Sequence, residues 1–314
     1  RQKLKGQQAK RKPITLSEYR DEYLSLRRTE LWDSTRKTIH SAFNSIIHDV
    51  GDLPLEAITF AILYPCIHND RRGVKWRRNI YTTINRAFDM AVRLRHITTN
   101  PLAGIPKPRG FDRDETLEWM SREEFESIML RFKTNTPLQQ LSKRVAIIAY
   151  EQGTRLGETV ALRRADVKTS KESESMMTVT CSALHRTKNG KSRTIPLFNR
   201  ARIAIEEQLE VNQQSEVEAV RQSELIFAHP ITGEMPSVNY VSQQFRFARK
   251  AAFPDRSKVS FHTTRHSCCT NLGLGFVPPL EIRNIAGHSN LRTTLKYIHA
   301  EKMDFSKSRA VMDA

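Results

Sequence analysis

Four side chains near the C-terminal end of the chain, His262, Arg265, His288 and Tyr297, are of the types needed to attack a phosphodiester. An arginine offers a planar fork of donors that fits two phosphate oxygens and stays charged at any working pH. Imidazoles give or take a proton near neutrality. A tyrosine hydroxyl, with a free pKa of about 10, becomes a covalent nucleophile when a base and cations assist it. His262 and His266 also have the i, i+4 spacing of a helical zinc site. Residue 263 is threonine, however, so the glutamate that completes H-E-x-x-H is missing and a metal hydrolase is disfavoured.

These residues lie in a run of short helical segments over 262–300, and the upstream chain must supply what positions them. A length of 314 residues suits about two domains. Lys plus Arg number 51 against 34 Asp plus Glu, a net charge of +17, which points to a polyanion such as nucleic acid. The excess is uneven, because residues 1–110 hold 21 basic and 10 acidic side chains. Cys66, Cys181, Cys268 and Cys269 form no CxxC pair, and buried reduced thiols are expected. With neither a membrane-length apolar run nor a signal peptide, the expectation is a cytoplasmic protein with no membrane partner. The chain begins without methionine, so an upstream domain is also considered.

Residues 1–12 read as a basic tail or linker, and 13–103 as a small all-helical domain. Thr15 with Glu18 forms a capping-box pattern; further helical patterns run from Ser34 to Val50, Leu55 to His68 and Trp76 to Ile97. Around the start of the last, Arg71, Arg72, Lys75, Arg77 and Arg78 cluster about Trp76, well placed for backbone phosphates. Residues 104–116, rich in Pro and Gly, read as a linker. A second domain over 117–300 opens with a helix capped by Ser121 and Glu124. Strands at Met176–Ala183 and Ser192–Leu197 flank Asn189-Gly190, a hairpin signal that puts Lys188 at a tip. Helical stretches follow from Asn199 to Gln222 and from Ser237 to Ala251, the second carrying Arg246 as a further candidate DNA contact. Residues 301–314 read as a polar tail. No Walker A or GxGxxG pattern supports nucleotide dependence, and no cofactor is expected.

The segments GTRLGE at 153–158, TKNGKSRTIPL at 187–197, HTTRH at 262–266, AGHSN at 286–290 and TTLKYIHA at 293–300 resemble, in order and spacing, the signature boxes of the tyrosine recombinases, the phage-integrase family. The resemblance implies a mainly α fold with a small β-sheet, arranged as a helical core-binding domain and an α+β catalytic domain that together clamp duplex DNA. It implies that Tyr297 forms a 3′-phosphotyrosyl bond and that Arg155 and Arg265 hold the scissile phosphate. Lys188 would protonate the leaving 5′ oxygen, His262 assist proton removal from Tyr297, His288 bond the phosphate, and Glu158 support the site structurally. Metal would not be needed, since two guanidiniums and an ammonium put three positive charges around one phosphate, and ATP would not, since the phosphotyrosine conserves the bond energy. The implied working unit is a homotetramer on two double-stranded sites, passing through a Holliday junction, with accessory DNA-bending proteins as further partners and the tail from Glu301 docking on a neighbour. Thr263, Thr264 and Ala286 depart from the family's usual residues without touching a reactive group. Within the class, integration and excision of a mobile element comes first and resolution of chromosome dimers second. A type IB topoisomerase and a catalytically silent DNA-binding regulator are the rivals outside it.

Overall fold

The structure, a computed structural model, describes residues 13–69, 71–108, 118–169, 174–181, 190–298 and Met312. The basic tail at 1–12, most of the segment at 104–116, Lys188 with Asn189, and nearly all of 301–314 lie outside the described residues. The chain divides into two compact units, Arg1–Glu115 and Thr116–Ala314.

In the first unit, helices α1 (Leu16–Leu26), α2 (Asp33–Val50), α3 (Phe60–Ile67) and α4 (Val74–Arg93) enclose a core of Tyr19, Phe43, Ile46, Leu63, Ile84 and Phe88. Thr15 and Glu18 cap α1 reciprocally, as their spacing suggests. The buried Tyr19 hydroxyl donates to the carbonyl of Ala87 at 2.6 Å, so α1 and α4 are joined by a satisfied polar group as well as by apolar area.

Two helical patterns are shorter than the sequence suggests. Leu55–His68 breaks into a 3-10 turn, Leu55–Ala57, and α3, because the β-branched pair Ile58 and Thr59 lies extended between them. The pattern ending at Ile97 stops at Arg93, where Arg95 takes a left-handed conformation (φ 61°) and the amide of His96 closes onto the carbonyl of Ala91.

The second unit is built around α6 (Pro137–Gln152), which is buried on most of its circumference. It packs against α8 (Asn199–Gln213), α10 (Val238–Ala252) and α11 (His262–Leu274), while α5 (Arg122–Leu130) closes one side by stacking Phe125 on Tyr150. Ser121 and Glu124 cap α5 as expected. After α6 come the single-turn α7 (Leu156–Val160) and strands β1 (Val167–Lys168), β2 (Met176–Val179) and β3 (Arg193–Pro196). They form an antiparallel sheet in the order β1-β2-β3, with Met177 opposite Ile195. The helical pattern over 199–222 is interrupted, leaving α8 and the separate turn α9 (Glu218–Arg221). The short helices α12 (Pro279–Ala286) and α13 (Leu291–Leu295) follow α11. The fold is thus mainly helical with a small sheet.

Candidate active site

The site assembles where α6 ends. Gly153 stops the helix in the left-handed region (φ 61°), and a Cβ there would press on the Cys268 sulfur at 3.0 Å. This close approach brings α11 onto the C-terminal end of α6, where Arg265 Nη1 donates to the Gly153 carbonyl at 2.7 Å. Favouring a cation at a helix C-terminus also follows from the helix dipole.

α11 carries little apolar surface, yet most of it is buried. Its hydroxyls make this affordable: Thr264 donates to the Phe261 carbonyl at 2.7 Å and Ser267 to that of Thr263 at 2.8 Å. Thr263 accepts the Ser260 amide and Ser267 that of Met120. Thr263 and Thr264, the departures from the family pattern, are therefore packed and satisfied within the fold.

Arg265 is 2% exposed, and its Nη2 has no hydrogen-bond partner in the protein. Burial first, and then the charge of Arg155, pull its pKa down to about 10, so it remains a cation. A buried guanidinium with an unpaired donor costs free energy unless an anion completes it.

Arg155, at the N-terminus of α7, is held by Glu158, whose Oε1 accepts from its Nη1 at 2.7 Å and whose Oε2 accepts from its amide at 2.9 Å. The same carboxylate receives Arg193 Nη2 at 2.9 Å and Nη1 at 3.3 Å. The Glu158 side chain is fully buried. Burial alone would raise its pKa, but the hydrogen bonds and charge of Arg193, with those of Arg155, outweigh it and hold the carboxyl at about 2. Arg193 extends the network to α12 by donating from Nε to the Ile285 carbonyl at 3.0 Å.

That carbonyl lies just before Gly287, which turns left-handed (φ 69°) and whose Cβ would meet the Arg193 guanidinium at 2.8 Å. His288 follows directly. Its amide bonds the Arg283 carbonyl, and its Nδ1 lies 3.0 Å from the hydroxyl of Thr294. Burial, then Arg265 and Arg155, depress His288 to about 3, so its ring is neutral.

Tyr297 is 4% exposed and has two imidazoles as neighbours. The His288 ring stacks nearly parallel to it, 5.9 Å between centroids, and His266 lies 5.6 Å away on a tilted plane. Its hydroxyl is 2.5 Å from His266 Nδ1. Burial and the proximity of Cys269 raise the Tyr297 phenol to about 12, against the pull of Arg265 and Arg155. His266 is lowered to about 4 by burial, His262 and Arg265. With the imidazole neutral and the phenol protonated, the hydroxyl donates and Nδ1 accepts. His262, more exposed, meets the His266 ring edge-on at 4.6 Å.

Five of the six expected catalytic residues, Arg155, His262, Arg265, His288 and Tyr297, thus belong to one contiguous cluster in the second unit, while Lys188 lies outside the described residues. Three participants were not assigned from sequence: His266 on the tyrosine, Arg193 behind Glu158, and Thr294 on His288. Arg193 carried a readable signal. It shares the inward parity of β3 with buried Ile195, and a charged residue on that face needs a buried partner.

The candidate DNA contacts divide. Arg71 and Lys75 are exposed beside the N-terminus of α4, and Arg246 is exposed on α10. Arg72 is instead occupied by Asp49 at 3.0 Å, Ser45 at 2.8 Å and the face of Trp76 at 4.2 Å. Arg78 donates from Nε to the Pro108 carbonyl at 3.1 Å, and Arg77 is half-buried. Among the described residues, no helix is long and apolar enough to cross a membrane.

The comparisons with known proteins put this chain in a class, the tyrosine recombinases, which are DNA strand-transferring enzymes. The chain belongs to the phage integrase family, whose model matches residues 118–303. It is similar to tyrosine recombinase XerD of Rickettsia conorii, with 24% identity over 76% of this chain and 78% of that protein. It is likewise similar to tyrosine recombinase XerC of Psychromonas ingrahamii, with 23% identity over 76% and 74%. Among solved structures, a lambda integrase tetramer bound to a Holliday junction shares the fold with a TM-score of 0.72 at 18% identity, covering 94% of this chain and 80% of that one. The Tn1549 transposon integrase in complex with circular intermediate DNA does so with a TM-score of 0.68 at 18% identity, over 96% and 100%.

Proposed function

We propose that the protein is the site-specific recombinase of a phage or other mobile element, cutting and rejoining DNA through a 3′-phosphotyrosyl intermediate at Tyr297. The observation that carries the chemistry is Arg265, buried with an unpaired donor beside a second guanidinium and the buried tyrosine. A phosphodiester satisfies that donor and neutralises the paired cations. Arg155 and Arg265 then stabilise the charge that grows on the non-bridging oxygens as Tyr297 attacks, a kind of preorganisation commonly worth about 3 kcal/mol per donor. His288, neutral and held by Thr294, supplies a further donor to the phosphate, and Lys188 protonates the departing 5′ oxygen. The phosphotyrosine keeps the bond energy, so a 5′-hydroxyl can reverse the step without ATP.

Residues 13–103 serve as the core-binding domain and 117–300 as the catalytic domain, with Arg71, Lys75 and Arg246 contacting backbone phosphates. The working unit is a homotetramer passing through a Holliday junction, aided by DNA-bending proteins, and its place is the cytoplasm with the DNA it acts on. The likeness to lambda and Tn1549 integrases supports the mobile-element reading. The likeness to XerC and XerD favours a second, resolution of chromosome dimers.

The test is to recover DNA covalently attached to the protein in its host and sequence it. Attachment to the ends of a mobile segment supports the first reading, and a single chromosomal locus outside any such element supports the second. The recovered site is then built into a nicked duplex that traps the adduct. Wild type forms the adduct in EDTA and Tyr297→Phe does not; an adduct from Tyr297→Phe, or none from wild type on bound DNA, refutes the assignment.

A further inference from the structure

We propose that His266 is a catalytic residue, the group that receives the hydroxyl proton of Tyr297 as the tyrosine attacks. This rests on the reading of Tyr297 as nucleophile and goes beyond it, because the family resemblance gave the assisting role to His262.

The geometry is direct. His266 Nδ1 lies 2.5 Å from Tyr297 Oη, the distance of a strong O–H to N hydrogen bond, so the proton acceptor is in place before any substrate arrives. The two side chains come from α11 and the turn after α13, and their contact is fixed on both sides. The His266 ring is braced edge-on by His262 at 4.6 Å, and the Tyr297 ring lies nearly parallel to that of His288 with 5.9 Å between centroids. Below them Gly273 brings α11 so near the Tyr297 carbonyl that a Cβ would lie 2.6 Å from it. A loose side chain would not be held this way.

The electrostatics suit the role. In the DNA-free site burial, His262 and Arg265 keep His266 neutral, hence able to accept. A bound phosphodiester brings negative charge against Arg265 and Arg155, which grows as the pentavalent state forms, and this stabilises the imidazolium when it is needed. The proton balance closes. As the Oη–P bond forms, the Oη–H bond breaks and its proton goes to Nδ1. His266 keeps its Nε2 proton and becomes imidazolium. The P–O5′ bond breaks, and the leaving oxygen takes a proton from the acid on the opposite side, the part given to Lys188. In rejoining, His266 returns its proton to Tyr297.

The experiment compares wild type, H266N and H266A on the nicked duplex carrying the site recovered from the wild-type adduct. Asparagine keeps a hydrogen-bonding atom near the position of Nδ1 but has no basicity, so it separates holding the tyrosine from accepting its proton. H266N is expected to bind DNA as wild type does and to form the adduct about 100-fold more slowly, matching H266A. Replacing Tyr297 by a fluorinated tyrosine, whose more acidic phenol needs a base less, is expected to restore H266N by about tenfold and to change wild type little. An H266N rate equal to that of wild type overturns the proposal, as does a slow H266N that the fluorinated tyrosine fails to restore. No adduct from wild type, or an adduct from Tyr297→Phe, overturns the nucleophile itself and this inference with it.

Discussion

Replacing Arg193 by methionine tests the support behind the site, because it removes two of the four hydrogen bonds to a fully buried carboxylate. The Glu158 carboxyl is held from an ordinary 4.5 down to about 2, which corresponds to roughly 3 kcal/mol in favour of its charged form, net of the burial that opposes it. Arg193 is the strongest of those partners, and removing one member of a buried pair typically costs about 3–5 kcal/mol. A loss of about 3 kcal/mol at pH 7.5 is therefore expected for R193M, read by urea titration with hydrogen exchange of α6 and α11 peptides reporting the second unit. The loss should narrow at pH 5. In the variant, burial is less well opposed, so the folded pKa of Glu158 rises toward the assay pH and the carboxyl takes up a proton. Wild type, with a depressed pKa, keeps this contribution above about pH 4.5 and loses it only as pH falls toward 2. E158Q added to R193M should recover part of the loss, since no buried charge is left unpaired. A loss below about 1 kcal/mol, the value of an exposed pair, would show that the Glu158 network does not hold the site together.

Three further outcomes follow from the same geometry. His266 and His288 are both depressed in the folded, DNA-free chain, so the unfolded chain binds protons more readily; stability should fall as pH drops from about 6.5 toward 4, by on the order of 1 kcal/mol per histidine at pH 5, with H288N flattening the profile. Gly273→Ala, which by helix propensity alone would stabilise by about 1 kcal/mol, should instead abolish adduct formation while leaving DNA binding, because its Cβ displaces the Tyr297 backbone. Arg71→Ala and Lys75→Ala should each lower the slope of log affinity against log salt by about 1, uniformly across DNA sequences, whereas Arg72→Ala should chiefly destabilise the first unit through loss of its contacts with Asp49 and Trp76.

Much of this protein was legible in its sequence because the relevant signals are local. Thr15 with Glu18 and Ser121 with Glu124 cap their helices through bonds spanning three residues, and no distant element is needed to form them. The identity of the reactive side chains was equally readable, since arginine, histidine and tyrosine carry their chemistry wherever they lie. The tertiary structure alone decided which groups meet. His266 and Tyr297 are 31 residues apart, and Arg193 reaches both Glu158, 35 residues upstream, and Ile285, 92 residues downstream. α11 shows the reason most clearly. Its threonines, serine and cysteines have no amphipathic pattern that marks an interior helix, and it is buried because its hydroxyls find carbonyls and amides, because Gly153 leaves room for the Cys268 side chain and because Gly273 lets the Tyr297 backbone approach. Close approach and hydrogen-bond satisfaction are properties of pairs of surfaces, and a single strip of sequence carries only one member of each pair.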